Sequence, residues 1–169
     1  RRFSLAQVMR YRRVWAVPGN RLSVTVAGIT WGMSWVVLAP LVIWIIATLY
    51  VPIFAPFLSP TEAWLLALAT TLLLIMSLVG HSMAHRGMAR VLGAGVPSRL
   101  LLYVFGDCAQ VWPVAPTPLR EALIALAGPA TNLLLAGGAY WLWDLQLHPY
   151  LNTSMLWLAG TNAGIALLN

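Results

Sequence analysis

Residues 61–90 read TEAWLLALATTLLLIMSLVGHSMAHRGMAR, and the architecture follows from this stretch. Its apolar body runs from 63 to about 79 and continues through His81 and His85 toward Arg90. A helix that crosses the hydrocarbon core of a bilayer needs roughly 20 largely apolar residues, and Thr61-Glu62 behind Pro60 can open one. Three further stretches pass the same test, near 30–54, 119–143 and 153–169, which predicts four spans. Between Arg21 and Glu62 lie forty residues without a formal charge, and twenty-five more follow Asp144. A chain of 169 residues that is 60% hydrophobic and 8% charged is not an ordinary water-soluble domain.

The remaining charges orient the bundle. All ten basic residues are arginines against four acids, net +6, and six of the ten precede the first span. Basic residues that flank apolar segments, instead of covering a soluble face, exclude nucleic acid as a partner and indicate a lipid bilayer. The N-terminus and the connection carrying Arg86, Arg90, Arg99 and Arg120 fall on one side after two crossings. The excess of arginine makes that side cytoplasmic. The proline-rich turn with Pro52, Pro56 and Pro60 and the connection 144–152 lie on the other. The expected location is therefore the cell membrane, multi-pass, with His81 and His85 near the cytoplasmic end of the second span. No cleavable signal peptide is expected from the long basic opening. The single cysteine, Cys108, excludes an intrachain disulfide framework and a multi-cysteine zinc site.

Two segments depart from helix. Leu22, Val24 and Val26 alternate with Ser23, Thr25 and Ala27, a short strand pattern. Between spans two and three, Leu100 to Phe105 form an apolar run that Gly106, Asp107, Cys108, Ala109 and Gln110 interrupt. Backbone of that kind at membrane depth must be shielded by protein or line a wet cavity. It is either an amphipathic segment at the membrane surface or a sheet or re-entrant element beside an embedded site, with Leu22 to Val26 as a candidate partner. The predicted fold class is an all-α polytopic membrane protein with four core transmembrane helices and a small membrane-associated β or re-entrant element. A basic segment with a short strand, 1–29, precedes a membrane-embedded core, 30–169.

The chemistry centres on His81-Ser82-Met83-Ala84-His85. On a helix, His81 and His85 stand one turn apart on the same face, where two imidazoles can share a metal ion. The same spacing also serves histidines that merely hydrogen-bond within a core. Two histidines do not complete a zinc site, which normally takes a third protein ligand. Asp107 reads as a turn cap beside Gly106 or as a ligand, and Glu121 as a charge on the first turn of span three.

With its other motifs the chain resembles the site-2 protease family of intramembrane zinc metalloproteases. That family's first motif is His-Glu-x-x-His, against His81-Ser82-Met83-Ala84-His85 here. Tyr103-Val104-Phe105-Gly106 with Ala109-Gln110 resembles its membrane-associated strand and turn. Gly128-Pro129-Ala130-Thr131-Asn132 resembles its Gly-Pro-x-x-Asn motif. The resemblance implies that His81 and His85 ligate Zn2+ and that Asn132 gives polar support to the substrate carbonyl or to water at the ion. It implies that Ser82 stands where the general-base glutamate belongs. It also implies a third ligand, an aspartate, beyond Asn169. The implied activity is cleavage of peptide bonds in transmembrane helices of membrane-protein substrates, as in regulated intramembrane proteolysis. A serine hydroxyl cannot take and return the proton as a carboxylate does, so the Ser82 form is expected to be inactive. Ser82 is compatible with a replaced residue in a protease, or with a natural pseudoprotease or membrane scaffold that binds transmembrane helices without hydrolysis.

Overall fold

The computed structural model of the chain describes residues 23–26, 29–94, 99–102 and 117–168. Strands β1 (Ser23–Val26) and β2 (Ile29–Met33) pair antiparallel, and β3 (Arg99–Leu102) joins β2 in parallel, giving the order β1-β2-β3. The strand expected at Leu22 to Val26 thus has β2 as its neighbour, and β3 pairs with β2 as well. The expected first span starts too early: Ile29–Met33 is strand, and helix begins only at Ser34. Ile29, Thr30 and Trp31 are β-branched or aromatic and suit a sheet. The strand pair also straddles the boundary drawn at residue 29.

A helical run then covers 34–54. It comprises α1 (Ser34–Ile45), a π-helical stretch (Ile46–Tyr50) and α2 (Val51–Phe54). Pro40, inside α1, leaves one turn of the ladder without its donor. The far end of the run is tied down by Tyr50, whose hydroxyl donates to the Thr153 carbonyl at 2.9 Å and whose ring meets Phe54 and Trp157.

Helix α3 (Pro60–Val91) has well-defined ends. Ser59 caps it: the Glu62 carboxylate accepts from the Ser59 backbone N–H at 2.8 Å, and Ser59 Oγ accepts from the Glu62 N–H, forming a capping box. At the other end Gly93 takes φ +70°, where a side chain would be strained. That conformation lets Gly93 N donate to the Arg90 carbonyl and Ala94 N to the Ala89 carbonyl, which satisfies the last turn. At 1.5 Å per residue its 32 residues extend about 48 Å, more than a hydrocarbon core of about 30 Å. Helix α4 (Pro118–Asp144) starts on Thr117, whose side chain accepts from the Arg120 N–H, with Glu121 in its first turn beside the positive helix end. The Arg120 guanidinium donates to the Leu92 carbonyl at 3.2 Å and joins the start of α4 to the end of α3. Helix α5 (Pro149–Leu168) closes the bundle.

Helix α4 packs on both α3 and α5, and β3 lies against α3. Small residues sit at the helix contacts: Ala63 and Ala67 of α3 with Ile46 and Val51 of the 34–54 run in one cluster, Ala139 and Ala159 with Leu74, Leu78 and Met155 in another. Such residues let helix backbones approach where no hydrophobic force drives helices together. A hydroxyl pair, Thr70 and Ser154 at 2.7 Å, bridges α3 to α5. Large apolar side chains turn outward, Met76 at 68% and Leu134 at 78% exposure among them. Such an exposed apolar surface marks a membrane or a partner as its neighbour.

Two helices among the described residues, Pro60–Val91 and Pro118–Asp144, are long and apolar enough to cross a bilayer. The apolar helix Leu38–Phe54 is shorter, and α5 falls outside that class. Asn152, Thr153, Ser154, Thr161 and Asn162 lower the apolarity of α5.

Candidate metal centre

His81 and His85 lie near the C-terminal end of α3, about 32 Å along its axis from Pro60 to His81. Their Nε2 atoms are 3.1 Å apart and their ring centroids 4.7 Å, with the planes at 77°. Helix α4 fixes one of the two rings. The Ile124 carbonyl can only accept, so His85 Nδ1 carries the proton and donates to it at 2.7 Å. In the neutral ring this leaves the His85 Nε2 lone pair for a ligand or for the N–H of His81. A backbone carbonyl holding the far nitrogen is the usual way in which a metal-binding histidine is oriented.

His81 is fully buried and meets the next turns of α4, at Asn132 and at the Gly128 backbone. Asn132 is buried completely, and its amide finds no partner other than His81 among the described residues. Gly128 lies at the convergence of the pair. A Cβ built there would come within 3.0 Å of Nε2 on both imidazoles. The glycine of the Gly128-Pro129 step therefore keeps open the space at which both nitrogens aim, a role beyond close helix packing.

This arrangement fits half of a zinc site. Two Zn–N bonds of about 2.0–2.1 Å at a near-tetrahedral angle separate their nitrogens by about 3.3 Å, close to the observed 3.1 Å. The donor set stops there: among the described residues no group of three His, Cys, Asp or Glu could hold an ion. Glu62 is engaged by Ser59 and Tyr150 at the opposite end of α3. Glu121 and Asp144 are exposed at the two ends of α4. Asp107, Cys108, the segments Tyr103 to Gly106 and Ala109-Gln110, and Asn169 lie outside the described residues.

Ser82 is 1% exposed, and its Oγ has no hydrogen-bond partner among the described residues. The position is thus interior, beside the histidine pair in sequence, and no described residue hydrogen-bonds the hydroxyl to activate it. Arg86, counted from its sequence position with the connection after the second span, lies inside α3 instead. It is a helical residue, 6% exposed, with Nη1 unpartnered among the described residues. Its four-residue offset from Ser82 is the signal in the sequence that could have found it. Asn162 of α5, 2% exposed, is a buried polar residue that no motif singles out; its Nδ2 donates to the Leu158 carbonyl at 2.9 Å.

Comparison with known proteins adds a relationship. The chain is 30% identical over 158 residues, 91% of its length, to Rip3 of Mycobacterium tuberculosis, in both the Erdman and the H37Rv strain. It is 39% identical over 80 residues, 47% of its length, to sll0528 of Synechocystis sp.. Each of these proteins bears the name "Putative zinc metalloprotease". The chain spans 39% of the length of the first and 21% of the second. No family model matches the chain. No solved structure matches it either.

Proposed function

We propose that the chain is the membrane core of an intramembrane zinc metalloprotease of the site-2 protease family, in a form disabled at position 82. The observation that carries this reading is the convergence of His81 and His85 Nε2 at 3.1 Å on the open space at Gly128. The similarity to two proteins named as zinc metalloproteases supports it. When bound, zinc supplies Lewis acidity toward a peptide carbonyl and toward water. The chain's own residues supply the rest. His81 and His85 hold the ion, with a third ligand from outside the described residues, and Ile124 and Asn132 keep the two rings in place. In this reading the Asn132 amide would donate to a substrate carbonyl. Residue 82 is where a carboxylate would accept a proton and pass it to the leaving amine. Ser82 cannot do so. Metal analysis of the full-length protein should find one zinc per chain, lost in the His81→Ala/His85→Ala variant; equal zinc in both would overturn the ligand assignment.

The substrate proposed is a transmembrane helix, locally extended so that its peptide groups are free. β3 stands at the edge of the sheet and against α3, which suits the addition of an extended substrate strand. The second reading, a helix-binding pseudoprotease, is favoured by the buried serine itself, whose Oγ has no hydrogen-bond partner among the described residues.

In the membrane we place four spans, with the N-terminus and the histidine end of α3 cytoplasmic. In a Cys108→Ser background, Ala94→Cys should react with a membrane-impermeant thiol reagent from the face opposite to Phe57→Cys and His148→Cys. Labelling of all three from one face would contradict this topology.

A further inference from the structure

The geometry points to a binding site for one hydrocarbon chain of a membrane phospholipid, at the end of α3 remote from the histidines. A cavity of about 460 Å³ lies there between the 34–54 helical run and the first turns of α3. The sequence leaves this space open in two ways. Ala47, Ala55 and Ala63 are buried along its lining and fill little of it. Pro52, Pro56 and Pro60 also line it, and a proline has no N–H to offer a polar guest. Thr48 carries the one hydroxyl of the lining, and that hydroxyl already donates to the Trp44 carbonyl at 2.7 Å. A water molecule held in a cavity needs about two to four polar partners, whereas an apolar cavity takes up hydrocarbon instead.

The surface around the mouth identifies the occupant. Thr48, Pro52, Pro56 and Trp64 line the cavity, and the residue after each, Leu49, Ile53, Phe57 and Leu65, is a large apolar side chain exposed on the outside. The cavity is therefore continuous with the apolar surface that a bilayer covers, and the hydrocarbon abutting that surface is a lipid chain. A helix 10–12 Å across with a pitch of 5.4 Å occupies roughly 420–610 Å³ per turn, so a spanning helix does not fit. A single flexible chain does. Trp64, in the second turn of α3, suits the level at which such a chain meets its headgroup. Seated there, the chain supplies the dispersion contacts that the three alanines leave unmade between the 34–54 run and α3. The site depends neither on zinc nor on the identity of residue 82.

The test uses full-length protein in detergent micelles doped with a phosphatidylcholine that carries a diazirine in one acyl chain. After photolysis, adducts are mapped by mass spectrometry. We expect them to concentrate on the peptides holding Pro52 and Ala63, to saturate with added probe and to be competed away by unlabelled phosphatidylcholine. Thr48→Trp puts a large side chain at the mouth and should cut these adducts at least about fivefold, because a filled cavity forfeits many small contacts together. Leu49→Trp adds a bulky ring at the next residue, outside the lining, and should leave them unchanged. Trp64→Ala removes one wall and should lower them similarly, which keeps the claim testable if melting curves show that Thr48→Trp does not fold. Adducts spread evenly over the exposed apolar surface, as strong at Met76 and Leu134 as here, would mean bulk lipid only and would sink the site. Undiminished labelling in folded Thr48→Trp or folded Trp64→Ala would do the same. The His81→Ala/His85→Ala variant should label like the unaltered chain, so this inference and the zinc reading fail separately.

Discussion

Ser82→Glu in the full-length protein, with a cognate single-span substrate, is expected to raise cleavage by roughly 10²- to 10⁴-fold, the range that positioned proton transfer contributes. The Ser82 hydroxyl has no partner among the described residues that could draw off its proton, and it sits at 1% exposure in a helix interior. At the proposed zinc site the ion would supply Lewis acidity in both forms, so the difference isolates the proton carrier. His81→Ala combined with Ser82→Glu should return turnover to the background level. Crosslinking should report substrate association in the Ser82 form and in the Ser82→Glu variant alike. Equal turnover by the two forms would contradict the assignment of position 82. Association without turnover in either form, with zinc confirmed, would establish the pseudoprotease reading instead.

Gly128→Ala is expected to be nearly as damaging, although it adds one methyl group. That group would lie within 3.0 Å of Nε2 on both His81 and His85. His85 cannot simply swing away, because Nδ1 is tied to the Ile124 carbonyl on the same helix as the glycine. The variant should lose zinc affinity by at least about tenfold, the lower end of what disturbing the surroundings of a ligand costs. Overpacking should destabilise it by about 1–3 kcal/mol. Gly137→Ala and Gly138→Ala are the controls, since a Cβ at either meets nothing within 4 Å. Helix propensity alone favours alanine there by up to about 1 kcal/mol. Zinc affinity and melting temperature, measured on all three, should single out Gly128. Native zinc affinity in Gly128→Ala would show that the imidazoles do not converge on that space.

Much of this is legible in the sequence because it depends on period and charge. The helix start at Thr61-Glu62 behind Pro60, the apolar run that follows and the four-residue spacing of the histidines are local signals, and α3 carries them, with Ser59 as the cap that the structure adds. Asn132 can be singled out only by resemblance, and its burial against His81 is a tertiary fact. The start of the first span is misplaced in the sequence because apolar β-branched residues serve a strand and a span equally well. Ile29 and Thr30 belong to the sheet. Arg86 misleads through charge counting: an arginine near a helix end reads as a loop charge, and only packing shows that its guanidinium is buried. The role of Gly128 is hidden for the opposite reason, since a missing side chain gives no sign of what faces it. The third ligand stays outside what local pattern can reach, because no acid among the described residues approaches the pair.

X-ray absorption at the zinc edge of the full-length protein, paired with anomalous diffraction from its crystals, tests the central claim most directly. The account predicts a single zinc within bonding distance of Nε2 on both His81 and His85, with two imidazoles in its coordination shell. A zinc-replete, folded protein with no metal at these two nitrogens, or with zinc bound elsewhere, would contradict it.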